Sequence, residues 1–295
     1  MQKTKIHEAR ADKIINGLNC LLIIGVFLII AYPLYYVLIA SISEVGSMKP
    51  VPLLPGKLTF DGYRRIFQDQ SIWQGYWNSI CYTLLGTSIN LVLTLTGAYA
   101  LSRKDLPCRR IINTMLVIAM MVNSGLIPRY LLVSGMNLVD TVWALVLPNA
   151  ITVFNLFVAR TYFETTLPLE LLEAAQIDGC TDFRFFLQMA LPLSKAIIAV
   201  LIIYYGVAHW NSYFDALIYL RSREKAPLQL VLRRILVLNE TLASIADGDT
   251  LDALQKMMES IKYSIIILAS LPMLILYPFM QKYFVQGVMI GAVKG

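Results

Sequence analysis

Long apolar runs recur along the chain, separated by shorter polar and charged stretches, and their length predicts helices that cross a membrane. A hydrocarbon core about 30 Å thick takes roughly 20 helical residues. Six stretches meet that length: residues 18–40, 79–101, 111–133, 142–162, 193–214 and 262–281. The first, LNCLLIIGVFLIIAYPLYYVLIA, carries no charge and follows a basic, polar stretch holding Lys3, Lys5, Arg10 and Lys13. It is too long for the apolar region of a signal peptide and reads as a retained helix. The second is rich in the small residues Gly86, Ser88, Gly97 and Ala98, which let helices approach closely in lipid, so it reads as a packed interior helix. The third fades near Pro128 and Arg129. In the fourth, Pro148 removes a backbone hydrogen bond and predicts a kink. The sixth holds Pro272 and Pro278.

Orientation follows from the short connections, because Lys and Arg accumulate on the cytoplasmic side. The N-terminal segment 1–17 and the tight connection SRKDLPCRR at Ser102 to Arg110 are both basic, so both are assigned to the cytoplasm. The turn SGMNLVD, bearing only Asp140, then falls outside, and six spans return the C-terminal tail 282–295 to the cytoplasm. This predicts external loops at 41–76, with the turn-prone VPLLPG at Val51 to Gly56, and at 221–259. The second of these carries Arg221, Arg223, Lys225, Arg233 and Arg234, against the charge rule, although long loops translocate largely regardless of charge. A cytoplasmic segment, 163–192, joins spans four and five.

Composition agrees with a polytopic membrane protein. The chain is 57% apolar and 15% charged, with a mean hydropathy of +0.63. Its net charge of +6 and pI near 9.1 do not indicate nucleic-acid binding, because the basic residues are scattered between apolar runs rather than gathered with aromatics on one stripe. Cys20, Cys81, Cys108 and Cys180 share no CxxC spacing and are expected to be free thiols. Two readings fail on inventory. An ion-coupled secondary transporter needs buried charged groups for its coupling ion, and a membrane enzyme needs a polar cluster, yet the spans are nearly free of charge and the only histidines are His7 and His209.

The connection between spans four and five has its own local logic. It reads TTLPLELLEAAQIDGCTDFRFFLQMALPLSKA from Thr165 to Ala196. Pro168 suits the first turn of a helix, Glu170 and Glu173 favour its positive N-terminal end, and Leu169, Leu172 and Ala175 or Gln176 share a face. Asp178-Gly179 ends that helix, since glycine tolerates the left-handed conformation a helix stop requires. Thr181 caps a second helix with Phe183, Phe186, Leu187 and Ala190 at helical spacing. Pro192 marks the break before span five. The predicted unit is a helix-turn-helix whose apolar face must be covered.

Glu173-Ala174-Ala175, Asp178-Gly179 four residues on, and Leu191-Pro192 after a further gap resemble the EAA loop of permease subunits of bacterial ABC importers. The resemblance covers nearly the whole chain and is closest to carbohydrate-importer permeases, in particular the second-permease type of the maltose system and the oligosaccharide or polysaccharide branch. It is carried further by LTFDGYRRIF at Leu58, NSGLIPRYLLV at Asn123, WNSYFDALIYL at Trp210, PLQLVLRRIL at Pro227 and the tail GVMIGAVKG at Gly287. Two departures are Ala196, where these permeases usually carry proline, and Cys180, where alanine is common.

The resemblance implies an all-α integral membrane fold of six transmembrane helices, the type I importer permease fold, with both termini cytoplasmic in a bacterial cell membrane. It also implies a transport subunit with no catalytic step. The chain lacks GxxxxGK[ST] and is expected to bind no cofactor, ATP and magnesium residing on a partner ATPase. The implied partners are a second homologous permease in a heterodimer, two copies of that cytoplasmic ATPase, an extracytoplasmic solute-binding protein that meets loop 221–259, membrane lipid, and a sugar or oligosaccharide substrate. Glu173 would offer the charged contact to the ATPase, Ala174 and Ala175 a small surface for close approach, and Gly179 the turn.

Candidates for the substrate path come from the residues themselves. Aromatic rings and amide or hydroxyl groups grip sugars, and span five with its extension holds Tyr204, Tyr205, Trp210, Asn211, Tyr213 and Phe214. Trp210 and Tyr213 also fit an interfacial aromatic belt. Asn90 and Asn149, deep in spans two and four, fit either the path or a helix-to-helix hydrogen bond. His209 and Asp215 are too few for a proton relay.

Overall fold

In a computed structural model, which describes residues 10–44, 56–122, 124–245, 258, 260–278 and 281, every regular element is a helix, beside one isolated bridge between Ser43 and Leu58. Most of the predicted segment 1–17, nearly all of VPLLPG, much of 246–259 and the tail 282–295 lie outside the described residues. The helices are α1 (Arg10–Ser41), α2 (Asp61–Gln68), α3 (Gln70–Ser102), α4 (Arg109–Met121), α5 (Leu126–Gly135), α6 (Trp143–Val146), α7 (Val153–Thr166), α8 (Leu169–Ile177), α9 (Asp182–Phe185), α10 (Leu191–Leu193), α11 (Lys195–Trp210), α12 (Tyr213–Tyr219), α13 (Leu228–Ile245) and α14 (Ser260–Pro278).

Three helices are long and apolar enough to cross a membrane by themselves: α1 from Ile14 onward, α3 and α14. Three further spans arise if each bent pair of helices counts as one: α4 with α5, bent by 114°, α6 with α7, bent by 51°, and the Asp182–Leu193 stretch with α11, bent by 81°. Each bend has a local cause. The helix expected over 111–133 stops at Met121, Gly125 adopts φ +74, and α5 starts at Leu126. Pro128 therefore sits in the first turn of a new helix, where no N–H is needed, rather than at the fading end of an old one. Pro148 forms a 3₁₀ turn, Leu147–Asn149, and α7 restarts at Val153. The break before span five falls at Ser194, two residues beyond Pro192, which lies inside α10.

The chain divides into two compact units. The first comprises 1–68 and 238–268. In it Ser264 Oγ donates to Ser41 O at 3.2 Å, Tyr63 OH to Ser41 Oγ at 2.9 Å, and Tyr36 meets Tyr263 edge-on at 5.8 Å. Gly62 lies so close to Ser260 and Ser264 that a Cβ would fall 2.7 Å from the Ser260 carbonyl oxygen.

The second unit, 69–237 and 269–295, is built around α3, which packs on both α7 and α11. Small residues make the approach possible. Ala98 and Ala159 are fully buried, and Gly97 lies beneath Leu156. Leu95, Leu101, Phe163, Ile197, Leu201 and Tyr205 complete this core. Ser88, read as part of the small interior face, instead points outward and returns its hydroxyl to Leu84 O. At the other end of α3, Gly75 admits the backbone of α13 at Leu228, Ser79 Oγ accepts from Leu228 N at 2.8 Å, and Asn78 Nδ2 donates to Glu224 O at 2.6 Å and Ala226 O at 3.1 Å. The predicted amphipathic helix after Pro227 is α13, with Leu228, Leu230, Val231 and Leu232 buried.

Candidate functional site

Two sites in the second unit hold most of the residues singled out by the sequence. The first is the segment from α8 to α10. Its turn forms as the sequence predicts: Gly179 adopts φ +75, Gly179 N donates to Gln176 O at 3.0 Å, and Cys180 N donates to Ala175 O at 2.9 Å. That pair of bonds, closing back over the last helical turn, is the Schellman arrangement that a left-handed residue permits. Thr181 caps α9 by accepting from Arg184 N. Pro168 occupies the cap position rather than the first turn.

The faces differ from expectation in two places. Ala175 is buried in the chain's own core, whereas Glu173, Ala174, Asp178 and Gly179 are exposed. The small surface assigned to both alanines thus consists outwardly of Ala174 alone. In the second helix Phe185, Phe186 and Ala190 face inward, while Phe183 is 70% exposed and Leu187 also faces out. The cause is a widened turn at Phe186–Ala190, where Leu191 N reaches Phe186 O. Pro192 has no N–H to return to that turn, which removes a competing tighter bond. Leu191 is half-buried against the core and Pro192 exposed.

This segment is tied to the foot of α3. The Tyr99 ring lies among Phe163 at 5.9 Å, Phe186 at 5.0 Å and Phe185 at 6.4 Å. Arg103 pairs with Asp182 at 3.3 Å while its guanidinium also donates to both oxygens of Asp105. Neither Tyr99 nor Arg103 was marked as functional by the sequence, where Arg103 entered only as part of a basic connection.

The second site is a polar cleft of about 360 Å³ at the break in the fourth span, lined by Asn149, Thr152, Tyr205, His209, Asn211 and Asp215 among others. The break frees backbone groups that lipid cannot satisfy, and side chains from α3 and α11 take them up. Asn90 Nδ2 donates to Asn149 O at 2.7 Å and Ala150 O at 2.8 Å, while its Oδ1 lies 2.6 Å from His209 Nε2. Tyr205 OH accepts from Thr152 N at 3.3 Å and shares a 2.7 Å bond with Thr94 Oγ1. Asn149 in turn accepts from Arg129 Nη2 at 2.7 Å and donates to Asp215 Oδ2 at 2.9 Å, with Arg129 and Asp215 3.8 Å apart.

Of the path candidates, Asn149, Tyr205 and Asn211 line this cleft. Asn90 is fully enclosed behind it and serves the helix-to-helix role. Trp210 is also enclosed, donating Nε1 to Ala269 O at 3.0 Å beside Tyr76, so it joins neither the cleft nor an interfacial belt. Tyr204 is exposed against Phe154, and Tyr213 carries the Arg233 guanidinium 4.9 Å over its ring. Arg129 and Asp215 were missed as a pair, because 86 residues of sequence separate two charges that only the bends in spans three and four bring together.

No family model matches the chain. It is 36% identical over 292 residues, 98% of each chain, to Protein LplC of Bacillus subtilis. It is 36% identical to the polygalacturonan/rhamnogalacturonan transport system permease protein YtcP of the same organism, over 95% of this chain and 99% of that one. Among solved structures it matches a bacterial ABC transporter involved in the import of the acidic polysaccharide alginate, with TM-score 0.83 and 31% identity over 95% of this chain and 100% of that one. An all-helical multi-pass chain of this length, with that similarity from end to end, belongs to the permease subunits of sugar ABC importers.

Proposed function

We propose that the chain forms half of the translocation path of an oligosaccharide importer in a bacterial plasma membrane, with both termini in the cytoplasm. A second permease completes the path, a separate pair of ATPase subunits holds ATP and magnesium, and an extracytoplasmic binding protein delivers the sugar near loop 221–259. The observation that carries this reading is the outer surface of α8 and α9. Ile177 is 86% exposed and Phe183 70% exposed, next to the exposed carboxylate of Glu173. Large apolar side chains at a polar protein end are the mark of a docking surface, and they stand on the segment whose sequence resembles the ATPase-coupling loop.

Behind that surface the contacts form a stiff relay. Closure of the ATPase pair moves α8 and α9, and the aromatic packing of Phe185 and Phe186 on Tyr99 passes the displacement to α3 as a rigid-body switch between two states. At the far end of the relay lies the cleft. Its Arg129, Asn149 and Asp215 groups are neutral as a set and offer both donors and acceptors, which suits a polyhydroxylic ligand. YtcP is named for polygalacturonan/rhamnogalacturonan transport and the solved importer for the acidic polysaccharide alginate, and an oligosaccharide of such a polysaccharide is the substrate we propose to try first.

The test is co-expression with the partner permease and ATPase, reconstitution in liposomes, and measurement of binding-protein-stimulated ATP hydrolysis and sugar uptake. Glu173→Ala and Ile177→Glu should leave the permease pair inserted and assembled while cutting stimulated hydrolysis at least tenfold, the scale of a lost interface anchor. Normal hydrolysis and uptake in both variants would overturn the coupling assignment.

A further inference from the structure

Three arginines, Arg109, Arg110 and Arg160, line a cavity of about 550 Å³ between the start of α4 and the body of α7. Arg109 and Arg160 share the carboxylate of Glu164 and are fixed by further bonds, Arg109 Nε to Leu101 O at 2.9 Å and Arg160 Nη1 to Asn113 Oδ1 at 2.9 Å. Arg110 lies on the same wall, is exposed, and its guanidinium makes no ion pair among the described residues. Three positive charges therefore face one negative charge, and the protein already holds two of the three in position.

The rest of the cavity is not that of a simple anion site. Thr114 adds a polar flank, but Val117 and Phe157 form an apolar wall further along both helices, with the Arg160 guanidinium 5.9 Å over the Phe157 ring. α4 buries none of its residues within the chain, and Met115 and Ile118 beside the cavity are 64% and 55% exposed. Charge at the mouth and apolar surface below match an amphiphile. The depth matches too: Arg109 opens an apolar helix and Arg160 lies within two turns of the end of α7, so the charges sit at headgroup level whichever side they face.

We infer that this cavity binds the headgroup of an anionic phospholipid. The phosphate diester accepts from Arg110 and from the donors left free on Arg109 and Arg160, since a guanidinium has five N–H groups and presents them as a fork suited to phosphate. The acyl chains lie along Val117, Phe157 and the exposed face of α4. A bound lipid, whose diester carries one negative charge, would offset half of the cluster's net charge of +2 and brace α4 against α7. The alternative occupant with the same chemistry is free phosphate, which has no use for the apolar wall.

Native mass spectrometry of the assembled permease–ATPase complex separates these cases. The complex is titrated with dioleoylphosphatidylglycerol, with dioleoylphosphatidylcholine as the neutral headgroup on the same chains, and with inorganic phosphate as competitor. The expected result is retention of phosphatidylglycerol at least about tenfold more tightly than phosphatidylcholine. One exposed arginine near a charged lipid surface corresponds to about a fivefold effect, so Arg110→Gln should weaken that binding about fivefold and Arg110→Lys should keep most of it. Arg110 is exposed, and the same spectra report whether each variant still assembles. Equal retention of the two lipids, unchanged retention in Arg110→Gln, or displacement by millimolar phosphate would each overturn the assignment. Absence of any adduct because the partner permease covers α4 would overturn it as well.

Discussion

Arg103 at the foot of α3 and Asp182 at the start of α9 form an ion pair, Nη2 to Oδ1, 3.3 Å apart. The same guanidinium fork holds Asp105 at 2.9 and 3.0 Å, and those hydrogen bonds raise the Arg103 pKa and lower that of Asp105. One side chain thus joins a span, the connection after it and the segment assigned to ATPase coupling. The Asp182 carboxylate is mostly exposed, so the pair contributes little stability, on the order of 0–1 kcal/mol. Its expected role is transmission. Arg103→Gln should leave insertion and melting temperature nearly unchanged while lowering the sugar transported per ATP hydrolysed severalfold, as read in proteoliposomes. If that ratio is the same in wild type, Arg103→Gln and Asp182→Asn, the ion pair carries no coupling.

Asn90 is expected to matter for stability first. Its single amide satisfies two carbonyl oxygens freed by the break at Pro148 and also meets His209. Asn90→Leu fills a similar volume but leaves those groups unpartnered at membrane depth. Each unsatisfied polar group costs about 1–3 kcal/mol, with membrane values toward the lower end, so a loss of roughly 2–4 kcal/mol is expected. Thermal unfolding of the purified chain in detergent checks it, and a melting temperature unchanged from wild type would rule out this role.

Much of this architecture was legible because membrane spans announce themselves by length and hydropathy, and the turn at Gly179 because only its φ of +75 closes that helix in the observed way. The faces of α8 to α10 were not legible. A 3.6-residue period placed Phe183 inside, but the wide turn at Phe186–Ala190 shifts the register, and Phe185 takes that place. Nor could Asn90 be assigned between path and packing, since an asparagine that lines a path and one that caps a broken helix look alike in sequence. The partner of Arg129 was hidden for a different reason, because Asp215 approaches it only through bends whose angles no local pattern encodes.

Gly86 and Gly179 should respond to alanine for opposite reasons. A Cβ on Gly86 would strike the His209 ring, which is buried and held by Asn90, whereas a Cβ on Gly179 meets nothing but must adopt φ +75. Overpacking of a fixed ring costs about 1–3 kcal/mol, and left-handed backbone in a residue with a Cβ about 1–2 kcal/mol. The difference shows in suppression. His209→Ala should recover part of the stability lost in Gly86→Ala, measured by thermal unfolding of the double variant, and should do nothing for Gly179→Ala. Additive losses in Gly86→Ala with His209→Ala would show that the ring is not the obstacle.

Asp140 gives a pH dependence that can be isolated from the other carboxylates. It sits in the turn before α6 with φ +62, and its side chain accepts from Ser222 Oγ at 2.6 Å, from Ser222 N and Arg221 N at 3.0 Å, and from Lys225 Nζ at 3.0 Å. These bonds, the Ser222 hydroxyl foremost, hold its pKa well below the usual carboxylate range. A depressed folded-state pKa means stability that is fully present above the unfolded value of about 3.9 and is lost as pH falls from there through the folded value. Asp140→Asn keeps a side chain that tolerates positive φ but removes the charge. Its melting temperature should lie below that of wild type by a constant amount between about pH 5 and pH 7, where Asp140 is ionised in both states. The gap should narrow only below about pH 4. A gap that is absent at pH 7, or that narrows already near pH 6, would show that this carboxylate does not clamp the turn to the Arg221–Lys225 segment.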